Sequence, residues 1–483
     1  MMRSLYSAVS GLKTHQTRMD VIGNNISNVN TEAFKASQVR FSEIMYQTTS
    51  SASAGNGATG TGGVNAKQIG LGVATASTMC SVTSAGASET TGNPFDLRLT
   101  DSQTTNFFVV SDGTNTMFTR AGSFYVDGNG YLCMSSTGYT LQGWQVDPTT
   151  GEIRKDTVSP LQIMSPQNQT AAPEATTKAY ISGVLDKTDT NLTAEGGYVM
   201  NLNLYDDLGY TYTAKFSVTP LEDSTDPKIG RRYQVSLTDI IDSNSKSILS
   251  EDEATKENQL KAIWGGADGK GYTVMYDSNE GTFVTIGETG VTTDNVDADG
   301  NLITSQSLNL SVLNTNFTSV DDRKSNFQDI NIDFARSLNY YKGGISSMQA
   351  LRGDIQGDGA GKKLGALTSL SVDQEGKIYG SYDNGNTILL CQIAAAQFAN
   401  ASGLEKVGSN CYMTTLNSGE FDGIGVEINA DGSKINSGEL EMSNVDLSGQ
   451  FTDMIVTQRG FQANSRVITV SDTLLEELIN LKR

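Results

Sequence analysis

Apolar residues recur with a seven-residue period at the two ends of the chain and almost nowhere between them. Over the first thirty residues Leu5, Leu12, Met19 and Ile26 fall seven apart, and Ala8, His15, Ile22 and Val29 occupy the position three residues later. A heptad held for almost four repeats predicts a helix over 1–30 with a coiled-coil seam. Near the C-terminus Leu447, Met454, Phe461, Ile468 and Leu475 repeat the spacing. Phe451 and Ile479 stand at the ends of the companion row, with Gln458, Ser465 and Asp472 in its middle. A second stripe, Val470, Leu474, Leu478 and Leu481, gives the last turns a broad apolar face, as in a helix that touches several neighbours. The pattern predicts a helix from about Val445 to Leu481, roughly 55 Å long at 1.5 Å per residue. Ser443 followed by Asp446 is its capping signal. An isolated helix of about 25 residues is marginal in water. Each end therefore needs a partner, and the other end supplies one.

Between the ends the pattern is strand and turn. Phe107-Phe108-Val109-Val110 reads as a buried strand before a turn at Asp112-Gly113, and Ser123–Val126 meets Tyr131–Met134 across Asp127-Gly128-Asn129-Gly130. Lys377-Ile378-Tyr379 and Thr387–Leu390 flank Asn384-Gly385, a strong hairpin signal because both turn residues accept positive φ. Residues 48–64 are small and polar and read as part of a linker or arm over 31–72. Four of the seven prolines fall at 148, 160, 166 and 173, and none follows Pro227. A domain crossing is placed in that cluster. The fold class expected is α+β, mainly β. Terminal helices over 1–30 and 443–483 pair, and an inner discontinuous β domain spans 73–158 with 326–442. An outer β domain of one or two subdomains, with strands such as Tyr198–Tyr205 and Tyr210–Val218, is inserted at 159–325.

Composition narrows the function classes. The net charge of −20 over 483 residues argues against nucleic acid, whose phosphates need cationic partners. No apolar run approaches the roughly 20 residues that span a bilayer. The N-terminus has no uninterrupted apolar stretch of the Sec type, so export, if it occurs, follows another route. Cys80, Cys133, Cys391 and Cys411 stand far apart and read as isolated buried thiols, with pairing across the fold, for example Cys391 with Cys411, as the alternative.

Catalytic and ligand-binding candidates are few. His15, the single histidine, falls on the heptad stripe and reads as a packing residue. Glu251-Asp252-Glu253 reads as a solvated face. Asp294–Gly300 resembles half a calcium loop, but Ser305 stands where the twelfth position needs a bidentate Glu. Gly357–Lys363 imitates a phosphate loop, yet Gln356 replaces the first glycine and Lys363 the magnesium-binding Ser/Thr. No cofactor, metal site or catalytic residue is expected, and the chain reads as a structural protein rather than an enzyme.

Three motifs point to one family. Asn24-Asn25-Ile26-Ser27-Asn28-Val29-Asn30-Thr31-Glu32-Ala33-Phe34-Lys35 resembles the N-terminal signature of bacterial flagellar rod and hook proteins. Gln458-Arg459-Gly460-Phe461-Gln462-Ala463-Asn464-Ser465-Arg466 resembles their C-terminal signature. Thr119–Phe124 with Gly138–Trp144 is similar to their shared inner β domain. Leu440–Leu447 running into Phe451–Ile455, and Leu204–Gly209, resemble hook subunits within that axial family. The resemblance implies a subunit that polymerises into a curved, flexible, hollow tube outside the cell, a universal joint carrying torque from rod to filament. It implies export by the flagellar type III apparatus, and rod, hook-cap and hook–filament junction proteins as partners. The polymerisation residues expected are Leu5, Leu12, Met19, Ile22, Ile26, Val29, Leu447, Phe451, Met454, Phe461, Ile468, Leu475 and Leu478. The signature residues are Asn24, Asn25, Asn28, Asn30, Gln458, Arg459, Gln462 and Asn464. Some spirochaete hook proteins join subunits through a cysteine-derived dehydroalanine and a lysine, but no cysteine here sits in a matching context. A rod or junction subunit and a secreted β-rich adhesin are the competing readings; length disfavours the first and heptads at both extreme ends the second.

Overall fold

The computed structural model describes the chain except residues 1, 56, 58–59, 148–149, 225, 266–268, 289–295, 297–300, 317–325 and 482–483. Apart from Val296, the calcium-like stretch lies outside the described residues. The chain divides into two compact units, one of residues 1–168, 369–381 and 387–483 and the other of 169–368 and 382–386.

The first unit contains the two long helices, Met2–Ser27 and Leu447–Asn480, packed on each other along their length. Asp446 caps the second, its carboxylate accepting the amide of Ser448 at 3.0 Å. The β part is built on Asn106–Ser111, which pairs with Thr116–Thr119, Thr140–Gln145 and Ala395–Gln397. Its four central residues, Phe107 to Val110, are fully buried because the strand has a core on each face. Phe108 and Val110 join Leu141, Leu161 and Ile393 on one side, while Phe107 and Val109 join Phe118 and Tyr412 on the other. That explains the unbroken apolar run, where a half-exposed strand would alternate. The hairpins expected at 124–134 and 377–393 are present, the first as Phe124–Val126 against Leu132–Met134.

The segment 31–72, expected as a linker or arm, carries paired strands. Ser37–Glu43 pairs with Val73–Cys80, and Tyr46–Ser50 pairs with Lys67–Gly70. Side chains such as Val39, Phe41, Thr48 and Thr49 suit an extended backbone even where nothing covers them.

The second unit is a β structure around one core. A five-stranded antiparallel sheet runs in order Tyr198–Tyr205, Thr211–Pro220, Arg231–Asp242, Tyr272–Tyr276 and Phe283–Glu288. A four-stranded sheet runs in order Ser305–Leu308, Ile330–Leu338, Lys178–Val184 and Gln349–Arg352. Leu202, Phe216, Val235, Trp264 and Phe334 lie in the shared core. Here the expected boundaries need correction. The insertion begins near Gln169 rather than 159 and continues to Thr368 rather than ending at 325. Ile330–Leu338 pairs in parallel with Lys178–Val184, and Ile330, Ile332 and Phe334 complete that core.

Candidate assembly site: the paired terminal helices and their anchor

Two of the three motifs singled out in the sequence, together with the Leu440–Leu447 stretch, converge on one buried knot. After the N-terminal helix the chain turns at Ala33, which holds φ at 52° and is buried in the β core; its amide donates to Glu441 O at 2.7 Å. Lys35, two residues on, reaches Glu441 Oε1 at 2.7 Å and Ser84 O at 2.6 Å. Arg120 donates through Nε to Glu441 Oε2 at 3.0 Å and through Nη1 to Asp101 Oδ2 at 2.6 Å. Gly86 N closes the carboxylate's set at 2.9 Å. Lys35, Arg120 and Glu441 are all buried. Burial alone would push the Glu441 carboxyl up, but Arg120 and Lys35 outweigh it and hold it below its ordinary value. Glu32 accepts the amides of Gly122 and Ser123, and Asn410 donates to Glu32 O at 2.7 Å. Asn444 accepts the amide of Ala36 at 2.8 Å and donates to Ser81 O and Ser84 O. Both helices thus spring from a single charged node in the β core.

The seam between the helices differs from the one the heptads predicted. On the N-terminal helix the inward row is Ala8, Gly11, Thr14, Ile22 and Asn25, with His15 and Arg18 half-buried among them. On the C-terminal helix it is Gln450, Asp453, Thr457, Gly460, Asn464 and Ser471. Gly11 lies against Asn464, where a Cβ would come within 2.8 Å of Nδ2, and Gly460 lies under the His15 ring, where a Cβ would come within 2.7 Å. Arg18 pairs with Asp453 at 3.0 Å. Asn25 donates to Gln450 Oε1 at 3.0 Å and to Ser37 O at 2.8 Å, and accepts Ser37 N at 3.0 Å. One amide so joins both helices and the arm. His15 also meets the edge of Phe41, ring centroids 5.5 Å apart, while its Nδ1 is buried with no hydrogen-bond partner among the described residues.

Of the expected polymerisation residues only Ile22 is fully buried. Leu5, Leu12, Met19, Ile26, Val29, Met454, Ile468 and Leu475 are half-covered, and Leu447, Phe451, Phe461 and Leu478 are exposed. Among the signature residues Asn25 and Asn464 sit in the seam. Asn28 bonds Asn24 at the helix end, Arg459 bonds Gln462 on the surface, and Gln458 and Asn30 face solvent. The seam row was missed because its members are small or polar, and an apolar search passes over Gly11, Thr457, Gly460 and Asn464. The spacing of glycines against polar residues was the available signal.

Many of the large apolar residues instead form an outer face. Ile455, Val456, Val470, Leu474 and Ile479 are exposed along the C-terminal helix, as are Met2, Tyr6 and Val9 on its partner. Every residue of the Tyr46–Ser50 and Lys67–Gly70 ribbon is exposed too. A two-stranded ribbon with neither face covered is marginal by itself.

No group of three or more His, Cys, Asp or Glu among the described residues could hold a metal ion. The cysteines are free thiols, with Cys133, Cys391 and Cys411 buried; burial raises Cys391 to about 12. The Gly357–Lys363 stretch is a surface turn whose neighbour Asp354 accepts the amides of Gln356 and Asp358. Asp252 caps the helix Glu253–Trp264. No helix among the described residues is long and apolar enough to cross a membrane.

Comparison with known proteins identifies the class. Residues 5–35 match the flagella basal body rod protein family, 103–181 the flagellar hook protein FlgE/F/G D1 domain, and 436–481 the flagellar basal body rod FlgEFG protein C-terminal family. This is an axial protein of the bacterial flagellum, and the matched segments include Lys35, Arg120 and Glu441. The chain is 34% identical to the flagellar hook protein FlgE of Treponema pallidum and 35% identical to that of Borreliella burgdorferi, each over the full length of both chains. It is 28% identical to the flagellar basal-body rod protein FlgG of Bacillus subtilis, again over both whole chains. The chain belongs to the flagellar hook protein FlgE family.

Proposed function

We propose that the chain is the structural subunit of the flagellar hook and that its paired terminal helices drive its polymerisation. One observation supports the mechanism: the helix seam is centred on small and polar residues, which leaves many of the large apolar residues of the C-terminal helix facing outward. At roughly 25 cal/mol per Å² of apolar surface buried, covering that face with neighbouring helices is the main gain of assembly. The knot around Glu441 then serves as the rigid coupling through which each helix pair hands torque to its β unit. The second units can shift against one another as the tube bends, acting as a universal joint, provided that no large apolar contact locks one geometry. The role is mechanical, not enzymatic. Copies of the same chain are the main partners, with rod, hook-cap and junction proteins at the ends and the flagellar export apparatus delivering the subunit.

Deletion tests the mechanism. Chains lacking residues 1–30 or 450–483 are expected to keep folded β units and to form no tubes. Tubes from either truncated chain would refute helix-driven assembly.

A further inference from the structure

The second unit presents an exposed loop that its own interior holds in a fixed shape. Between Ile330–Leu338 and Gln349–Arg352 the chain passes through Asn339-Tyr340-Tyr341-Lys342-Gly343-Gly344-Ile345-Ser346. Two buried carboxylates hold its backbone. Asp186 Oδ2 accepts the amides of Lys342 at 2.6 Å and Gly344 at 2.8 Å, while Oδ1 takes the amide and hydroxyl of Thr188. Asp189 Oδ2 accepts the amide of Ser346 at 2.8 Å. At the loop's foot Asn339, also buried, donates to Leu185 O at 3.0 Å and to the Tyr233 hydroxyl at 2.9 Å. Charge-assisted bonds of this kind, made inside the protein, leave a loop little freedom.

What this fixed backbone displays is apolar. Tyr341 is 79% exposed and Ile345 69% exposed. Rigid aromatic anchors on a preorganised loop are what protein interfaces use as binding centres. The loop's charge also sets it apart. No acidic residue occurs between Asp333 and Asp354, whereas Arg336, Lys342 and Arg352 do, in a chain whose net charge is −20. Arg352 rests on the Tyr205 ring at 4.5 Å. Arg336 and Lys342 have no ion-pair partner among the described residues and remain available.

We propose that Tyr341 and Ile345 form a knob through which this unit docks on a second copy of the chain in the assembled tube. The family's subunits assemble with copies of themselves, so the surface that meets an exposed, preorganised apolar loop in the tube is that of another copy. This rests on the assembly reading above and adds a contact that the terminal helices do not provide.

The test is photocrosslinking of the full chain carrying Tyr341→p-benzoylphenylalanine, irradiated as monomer and as assembled tubes. A product of twice the monomer mass is expected from tubes and not from monomer. Tubes that yield no such product overturn the proposal, as does a product joined to some other molecule in tubes taken from cells. A second variant, Tyr341→Ser with Ile345→Ser, alters only exposed side chains. It should melt like the natural monomer and form tubes that dissociate several degrees lower; an unchanged dissociation temperature overturns the proposal. A chain that never forms tubes overturns the assembly reading and this inference with it.

Discussion

Lys35 and Glu441 meet at 2.7 Å, both buried, although 406 positions separate them in the chain. Arg120, bonded to the same carboxylate, is buried as well. Removing one partner of such a set leaves uncompensated charge in the interior, which costs about 3–5 kcal/mol. Glu441→Gln is therefore expected to lower the unfolding free energy of the monomer by that order. Adding Lys35→Met should recover part of the loss, since the stranded ammonium goes with it. Denaturant unfolding of the single and double variants checks this, and strictly additive losses would show that the groups are not coupled.

The same carboxylate makes acid sensitivity predictable in sign. Glu441 is held below its ordinary value of 4.5 by Arg120 and Lys35, against the upward push of burial. A group depressed in the folded state contributes stability that is complete above its unfolded value and fades as pH falls through the folded one. The unfolding midpoint should thus drop from about pH 4.5 downward, and Glu441→Gln should flatten that drop. Measuring the midpoint of both proteins between about pH 6 and pH 3 decides it.

His15 above Gly460 sets up a sign reversal. Alanine is favoured over glycine inside a helix by about 1 kcal/mol. Yet a Cβ at 460 would lie 2.7 Å from the His15 ring, which is itself wedged against Phe41. Gly460→Ala should weaken the helix pair and hinder assembly in the natural sequence. In a His15→Ala background the clash is gone and the propensity gain remains, so the same change should strengthen the pair. Helix content by circular dichroism and tube yield, compared across the four combinations, reads this directly.

His15 also makes the pair pH-dependent. Burial, and then the nearby Arg18, lower its pKa below 6.5. The charged groups facing that layer are Arg18 on its own helix and Asp453 on the other, already joined to each other. A histidine depressed in the folded state is neutral there, so its contribution is intact above 6.5 and is lost as pH falls below that value. Tubes should loosen on mild acidification, and His15→Gln tubes should loosen less, as followed by light scattering from about pH 7.5 to pH 5.5.

How far the sequence revealed this molecule depends on the kind of signal. Long helices at both ends were legible because their apolar rows repeat over many turns. Phe107–Val110 was legible because both of its faces are buried. The insertion's far boundary was not: Ile330–Leu338 alternates Ile330, Ile332 and Phe334 with polar residues, as an inner-domain strand would, and only its pairing with Lys178–Val184 assigns it. The motifs around Lys35, Arg120 and Glu441 were visible separately. Their convergence on one carboxylate is a property of the fold, invisible to local periodicity. The small residues at the centre of the helix seam were not legible, for a chemical reason. Heptad analysis weights size and hydrophobicity, whereas Gly11, Gly460 and Thr457 close this seam by close approach.

A seam closed by small residues matters most for the outward face of the C-terminal helix. Phe451 is 52% exposed and Ile455 59% exposed in the single chain. Replacing either with Asp removes little that the monomer buries, so its unfolding should shift by no more than about 0.5 kcal/mol, as for ordinary surface changes. Placed between helices of neighbouring subunits, the same carboxylate would be stripped of water without a partner, a cost far exceeding that of the monomer change. Phe451→Asp and Ile455→Asp should therefore leave monomer stability intact and abolish tube formation. Sedimentation of assembled material beside monomer melting curves separates the two effects. Normal tubes from both variants would mean that this face stays in contact with solvent, and that the force holding subunits together comes from elsewhere in the chain.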